Sequence, residues 1–332
     1  MKSTGRCRAH TNIALIKYWG KRNEELFLPM NSSLSLTLDA FFTDTEVVLD
    51  DNLTSDEFYL DDTKQGVEET QKITEFLNLF RNLAKIETKA CVKSYNHVPT
   101  AAGLASSASA FSALAGAMNQ AIGLNLDLKT LSTFARQGSG SATRSVYGGF
   151  VEWFMGNDDE TTSSHAIPVD DASWDIGMIV IAVNTGRKKL SSRVGMKQTI
   201  KTSPFYSSWV ETATSDLTKM KEAIKKQDFI QLGEITESNG MKMHATMLGA
   251  FPPISYWEPD SVKAIQKVKE IRETGIPCYV TMDAGPNVKV LCKQSDMLKI
   301  EQLLLEEFKE EQIIPSKIGE GIRLLNRSEW NY

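Results

Sequence analysis

Residues 98–112 constrain this chain more than any other stretch. They run Val98-Pro99-Thr100-Ala101-Ala102-Gly103-Leu104-Ala105-Ser106-Ser107-Ala108-Ser109-Ala110-Phe111-Ser112. The residues before them, 89–95, favour a pleated strand. A turn at Pro99 and Gly103 follows, and an alanine-rich run to Ile122 reads as a helix closed by Gly123. A strand, a turn and a helix in that order place small residues and a serine pair at a helix N-terminus. There the unpaired N–H groups and the positive end of the helix dipole attract an anion. By itself the pattern serves a tightly packed, well-capped helix equally well.

The rest of the chain sets limits. Its 332 residues suffice for one large or two medium domains. The formal net charge of -5 excludes a global basic field for nucleic acid or an anionic membrane, so an anionic ligand needs a local basic cluster. Cys7, Cys91, Cys278 and Cys292 form no CxxC pair and no zinc-like spacing with the four histidines. They suit a reducing compartment, and a metal-ligand set is not legible. Residues 13–19 are too short and too interrupted by Lys17 for a signal-peptide core, and no apolar run reaches membrane-spanning length. These features predict a cytoplasmic protein.

Strands are expected at 45–49 and 58–60, as a pair across the acidic turn 50–56, and at 149–154, 177–183, 278–282 and 288–292. Helical spacing predicts helices at 69–85, 128–136 (capped by Asp127), 209–224, 228–247, 261–273 and 297–308. A basic, serine-rich loop is expected beyond residue 186, through 188–196. Strands and helices mixed without regular βαβ alternation argue for α+β layers. A change of character near residue 184 predicts domains at 1–184 and 185–332.

Four further stretches carry chemistry. Asn12-Ile13-Ala14-Leu15-Ile16-Lys17-Tyr18-Trp19-Gly20-Lys21 sets two lysines four apart around an aromatic pair, able to meet one polyanion from an extended loop. Gly138-Ser139-Gly140-Ser141-Ala142-Thr143-Arg144-Ser145 combines a backbone that approaches anions closely with hydroxyls and one guanidinium fork. Ser191-Ser192-Arg193-Val194-Gly195-Met196 follows the change of character, and Met282-Asp283-Ala284-Gly285-Pro286-Asn287 ends a strand in an aspartate-led turn. Each alone also fits a solvated loop or an ordinary turn.

Together they resemble one family. Pro99 to Ala108 is similar to the phosphate-binding loop of the GHMP small-molecule kinases, and the four further stretches resemble the motifs of mevalonate diphosphate decarboxylases within that superfamily. Residues 29–35, Pro29-Met30-Asn31-Ser32-Ser33-Leu34-Ser35, match a further family motif. The resemblance implies a two-layer GHMP-kinase-like fold, with an N-terminal domain like ribosomal protein S5 domain 2 and a ferredoxin-like C-terminal domain. It implies ATP-dependent decarboxylation of mevalonate 5-diphosphate to isopentenyl diphosphate, with ATP and Mg2+ and with a homodimer by analogy. Asp283, Lys17 and Arg144 are then the expected catalytic residues. Ala14, Tyr18, Trp19, Lys21, Ser139, Gly140, Ser141, Ser192, Arg193, Met196 and Ala284 are expected around the substrate. Ser94, Tyr95, Asn96, Val98, Pro99, Gly103, Leu104, Ala105, Ser106 and Ser107 are expected around the nucleotide. Two alternatives stay open: a GHMP kinase that phosphorylates and stops, and a nucleotide binder without catalysis. Release of CO2 separates the first, and consumption of ATP the second.

Overall fold

Two unusually long antiparallel strands form the backbone of the first half: β1 (Lys2–Ile16) and β4 (Ser33–Asp50), with the short hairpin β2 (Lys21–Asn23) and β3 (Leu28–Pro29) between them. The computed structural model describes residues 2–97, 107–184, 186 and 190–332. The first half continues with β5 (Glu57–Leu60), β6 (Thr63–Lys64), α1 (Val67–Ala84), β7 (Ala90–His97), α2 (Ser107–Ile122), α3 (Leu128–Gly138), a 3-10 segment Gly140–Val146, β8 (Phe150–Trp153) and β9 (Ala166–Asp170).

Small residues explain how closely these layers meet. Gly5, Cys7 and Ala9 alternate on the buried face of β1, under the alanine-rich face of α2. A Cβ on Gly5 would lie 2.0 Å from the carbonyl oxygen of Ala117, so this position admits no side chain. The alanines of α2 thus pack a helix onto a sheet.

The second half contains β10 (Gly177–Ile181), α4 (Ser192–Thr202), α5 (Tyr206–Lys226), α6 (Phe229–Leu248), α7 (Pro259–Glu273), β11 (Cys278–Met282), β12 (Val288–Cys292), α8 (Met297–Leu304), β13 (Ile313–Ser316) and β14 (Arg323–Leu324). Strands β11-β12-β10-β13 form one antiparallel sheet, whereas β14 returns to pair with β1 in the first sheet. One apolar cluster joins the halves, with Ile13, Leu36 and Phe41 against Met178, Leu217, Leu232 and Tyr279. The architecture is α+β and GHMP-kinase-like.

Three local expectations change. Residues 45–49 belong to the 18-residue strand β4, and β5 pairs in parallel with β7, which lies between them, so 45–49 and 58–60 are not a hairpin. The serine-rich loop is helical from Ser192, with the Ser191 hydroxyl accepting the Val194 N–H; packing of Gly195 and Thr199 outweighs a weak local propensity. The last predicted helix stops at Leu304 rather than 308.

A buried ion pair ties α1 to the sheet. The two terminal Arg81 nitrogens grip Asp56, which also accepts the Ala90 N–H at 2.8 Å. The side chains are 3% and 1% exposed. Burial alone would raise the Asp56 pKa, but the guanidinium and the N–H outweigh it and hold it below its ordinary value. Replacing Asp56 with alanine strands a buried guanidinium and is expected to cost about 3–5 kcal/mol in urea unfolding at pH 7. The pair's stabilisation is present at neutral pH and fades as pH falls through the depressed carboxylate pKa.

Candidate active site

A cleft of about 420 Å³ opens between the halves. Its walls come from the end of β1 and the loop after it, the start of α2, the 140–146 segment, α4 and the turn after β11. Five cations (Lys17, Lys21, Arg144, Arg193, Lys289) face two carboxylates (Glu24, Asp283) among the described lining residues. A net acidic chain thus concentrates positive charge at one place, where an anionic ligand is favoured.

Asp283 is the centre of this arrangement. One carboxylate oxygen lies 2.8 Å from the Lys17 ammonium and the other 3.3 Å from that of Lys289. The side chain keeps 38% of its surface open to the cleft, whereas Lys17 and Lys289 are 1% and 3% exposed. Burial would push the Asp283 pKa up, but the two ammonium groups prevail and hold it well below the usual carboxylate range. The turn that carries it is anchored: the Asn287 amide oxygen accepts the N–H groups of Val183 and Asn184, and the Ser261 hydroxyl donates to the Pro286 carbonyl. Lys17 also donates to the Ala14 carbonyl at 2.7 Å. Desolvation lowers its pKa to about 8, against the pull of Asp283.

Arg144 is 2% exposed and forms its polar contacts with Asn12 and Ser33. Burial lowers its pKa to about 10, so the guanidinium stays charged. Asn12 in turn donates to the Ser141 carbonyl and the Ser145 hydroxyl. The Tyr18 ring packs on Trp153 with centroids 4.7 Å apart, and its buried hydroxyl has no hydrogen-bond partner among the described residues. Desolvation raises that hydroxyl's pKa, leaving a donor ready for an acceptor in the cleft. Lys21 stands 3.4 Å above the Phe27 ring, which also lies 5.8 Å from the Arg193 guanidinium. Desolvation lowers the Lys21 pKa to about 8, opposed by Glu24.

All fourteen residues expected around the substrate, including Asp283, Lys17 and Arg144, line this one cleft. Trp19 is buried, edge-on to Tyr256, with its carbonyl accepting the Tyr206 hydroxyl at 2.6 Å. Of the residues expected around the nucleotide, Ser107 begins α2 at the cleft, with the Ser139 hydroxyl 3.3 Å away. Ser94, Tyr95 and Asn96 lie on β7 and are not among the lining residues; Tyr95 stacks on Tyr332 at 4.0 Å, and Ser94 bonds Thr45. Val98, Pro99, Gly103, Leu104, Ala105 and Ser106 lie outside the described residues. Two contributors escaped the sequence reading, Lys289 and Phe27, and Asn12, which opens one of the motifs, was given no role of its own. Lys289 had a signal, a lone lysine between Val288 and Val290 directly after the aspartate turn, on the strand face opposite theirs.

The comparisons with known proteins agree with this geometry. Residues 9–166 match the Diphosphomevalonate decarboxylase-like N-terminal domain, and residues 178–326 the Mevalonate 5-diphosphate decarboxylase C-terminal domain. The human diphosphomevalonate decarboxylase is 37% identical over 305 residues, 86% of this chain and 75% of that protein. The crystal structure of the mevalonate diphosphate decarboxylase from Staphylococcus aureus superposes with a TM-score of 0.95 at 48% identity, covering 98% of this chain and 99% of that one. A structure described as MDDEF in complex with MVAPP, AMPPCP and magnesium superposes with a TM-score of 0.93 at 52% identity, covering 98% and 100%.

Proposed function

Because this chain belongs to the diphosphomevalonate decarboxylase family, we propose that Asp283 meets the substrate's 3-hydroxyl while Arg144 holds its carboxylate, in a cleft that both halves build. The chain catalyses the ATP-dependent decarboxylation of mevalonate 5-diphosphate to isopentenyl diphosphate, ADP, phosphate and CO2, a step of the mevalonate route to isoprenoids. The observation that carries the residue assignment is the carboxylate of Asp283, fixed between Lys17 and Lys289 and open to the cleft.

A tertiary hydroxyl is a poor leaving group, so it is first phosphorylated. Loss of that phosphate creates electron demand at C3, and the electron pair of the bond to the departing CO2 forms the alkene. Phosphoryl transfer asks the protein for positioning and charge neutralisation. Asp283 supplies an ionised acceptor that orients the hydroxyl. Its depressed pKa makes it a weak base, suited to a proton that leaves late, as bonding to phosphorus advances. Lys17 keeps it ionised. Tyr18, Lys21, Ser139, Ser141, Ser192 and Arg193 hold the diphosphate, and Arg144 turns its fork to the carboxylate.

ATP supplies the phosphoryl group, and Mg2+ offsets the charge of its phosphates. The Ser107 hydroxyl, at the N-terminus of α2 and 3.3 Å from the Ser139 hydroxyl, would meet the nucleotide phosphates beside the diphosphate held by Ser139 and Ser141. Among the described residues no group of three His, Cys, Asp or Glu side chains could hold a metal ion. Val98, Pro99, Gly103, Leu104, Ala105 and Ser106 are assigned to the nucleotide on the family resemblance alone. No helix among the described residues is long and apolar enough to cross a membrane. We place the enzyme in the cytoplasm on its four free cysteines and ordinary acidic composition, and read it as a homodimer by family analogy.

Incubation with Mg-ATP and mevalonate 5-diphosphate should release ADP and CO2 in equal amounts. ADP without CO2 would leave a kinase, and neither product would overturn the assignment. Arg144→Lys keeps the charge but loses the planar fork, so kcat/KM for mevalonate 5-diphosphate should fall about 10²-fold. The KM for ATP should hold; an equal loss for both substrates would move Arg144 away from the carboxylate.

A further inference from the structure

Lys17 lies in residues 17–20, which have no regular secondary structure, so their peptide groups need partners from elsewhere. Those partners come from far along the chain. The Lys17 N–H donates to the Asn239 side-chain oxygen at 2.8 Å, and the Lys17 carbonyl accepts from the Asn31 amide at 3.0 Å. Asn239 is fully buried in the middle of α6. Its own amide donates to Asp216 of α5 at 2.9 Å, and Lys242 closes on the same carboxylate at 2.9 Å.

This geometry has a direction. An asparagine amide can present either its oxygen or its nitrogen to a neighbour. A carboxylate at Asp216 only accepts, so it captures the Asn239 nitrogen and turns the oxygen to Lys17. The sequence of α6 adds a second observation. Asn239-Gly240 sets two poor helix formers in the interior of a 20-residue helix, at a cost of about 1 kcal/mol for the glycine alone. A Cβ on Gly240 would come 3.7 Å from the Lys17 Cε, so the helix runs right against the lysine stem. Local rules broken at one spot mark a constraint imposed from outside the helix.

We propose that Asn239, oriented by Asp216, is a positioning residue that fixes Lys17 against Asp283, so that the α5–α6 pair of the second half sets the place of a lysine supplied by the first. The proposal rests on the role given to Lys17 above.

The test is a double-mutant cycle on the full chain. Asn239→Ala should lower kcat about 10²-fold with both KM values nearly unchanged. Asp216→Asn, which frees the Asn239 amide to flip, should lower kcat about tenfold. In a Lys17→Met background, Asn239→Ala should cost no further activity, because the group it positions is gone. A full additional loss there, or wild-type kcat in the folded single variants, would overturn the proposal. If Asn239→Ala does not fold, Asp216→Asn carries the cycle with the same criterion. Wild-type kcat in Lys17→Met would instead overturn the role of Lys17 itself.

Discussion

Asp283→Asn should lower kcat by about 10²–10⁴-fold while ATP binding persists. Asparagine keeps the shape but cannot hold two ammonium groups: Lys17 and Lys289, both nearly inaccessible to solvent, would face a neutral amide. The loss therefore has two sources, an acceptor of the wrong charge at the 3-hydroxyl and lysines no longer drawn to one point. Single-turnover measurements should place the defect in phosphoryl transfer rather than in substrate binding. A variant with normal turnover would remove Asp283 from the mechanism.

Lys17→Met should be nearly as damaging, with kcat reduced about 10²–10³-fold by loss of a preorganised charge in a dry site. Its fold should survive. Methionine fills the lysine's volume, and Lys289 still neutralises Asp283. The large penalty for breaking a fully buried pair does not apply, because Asp283 keeps Lys289 and has 38% of its surface open to the cleft. A thermal midpoint near wild type together with a collapsed kcat separates a functional lysine from a structural one. Equal losses of stability and rate would favour the structural role.

What the sequence revealed, and what it hid, follows a physical line. The segments with Lys17, Arg144, Ser192 and Asp283, which the fold gathers around one cleft, were legible through the family resemblance because each is a run of a few consecutive residues. Lys289 was less so, since nothing local says which strand face meets the cleft. Asn239 and Asp216 were hidden because their work is done at a distance: their partner lies some two hundred positions earlier, and only the folded chain brings α5 and α6 under residue 17. In the fold, Leu34, Leu36 and Leu38 carry a clear strand alternation that extends β4, yet its pairing with β1, β7 and β8 depends on non-local register. The helix α4 was masked by a composition that reads as loop and forms only because tertiary packing supports it.

The most direct test of the central claim, an ionised Asp283 held by a charged Lys17, is the pH dependence of kcat at saturating substrates. The acid side should stay flat down to about pH 5, because the Asp283 pKa is depressed and the carboxylate stays ionised there. The rate should then fall on the alkaline side, at or above the pH of about 8 where Lys17 loses its proton in the free protein, because bound anions hold the ammonium more tightly, and Lys17→Met should lack this fall. Lys21, which also titrates at about 8, acts on substrate binding and should appear in KM. An acid limb near neutrality would contradict the ionised carboxylate. An alkaline limb that persists unchanged in Lys17→Met would contradict the role of the Lys17 charge.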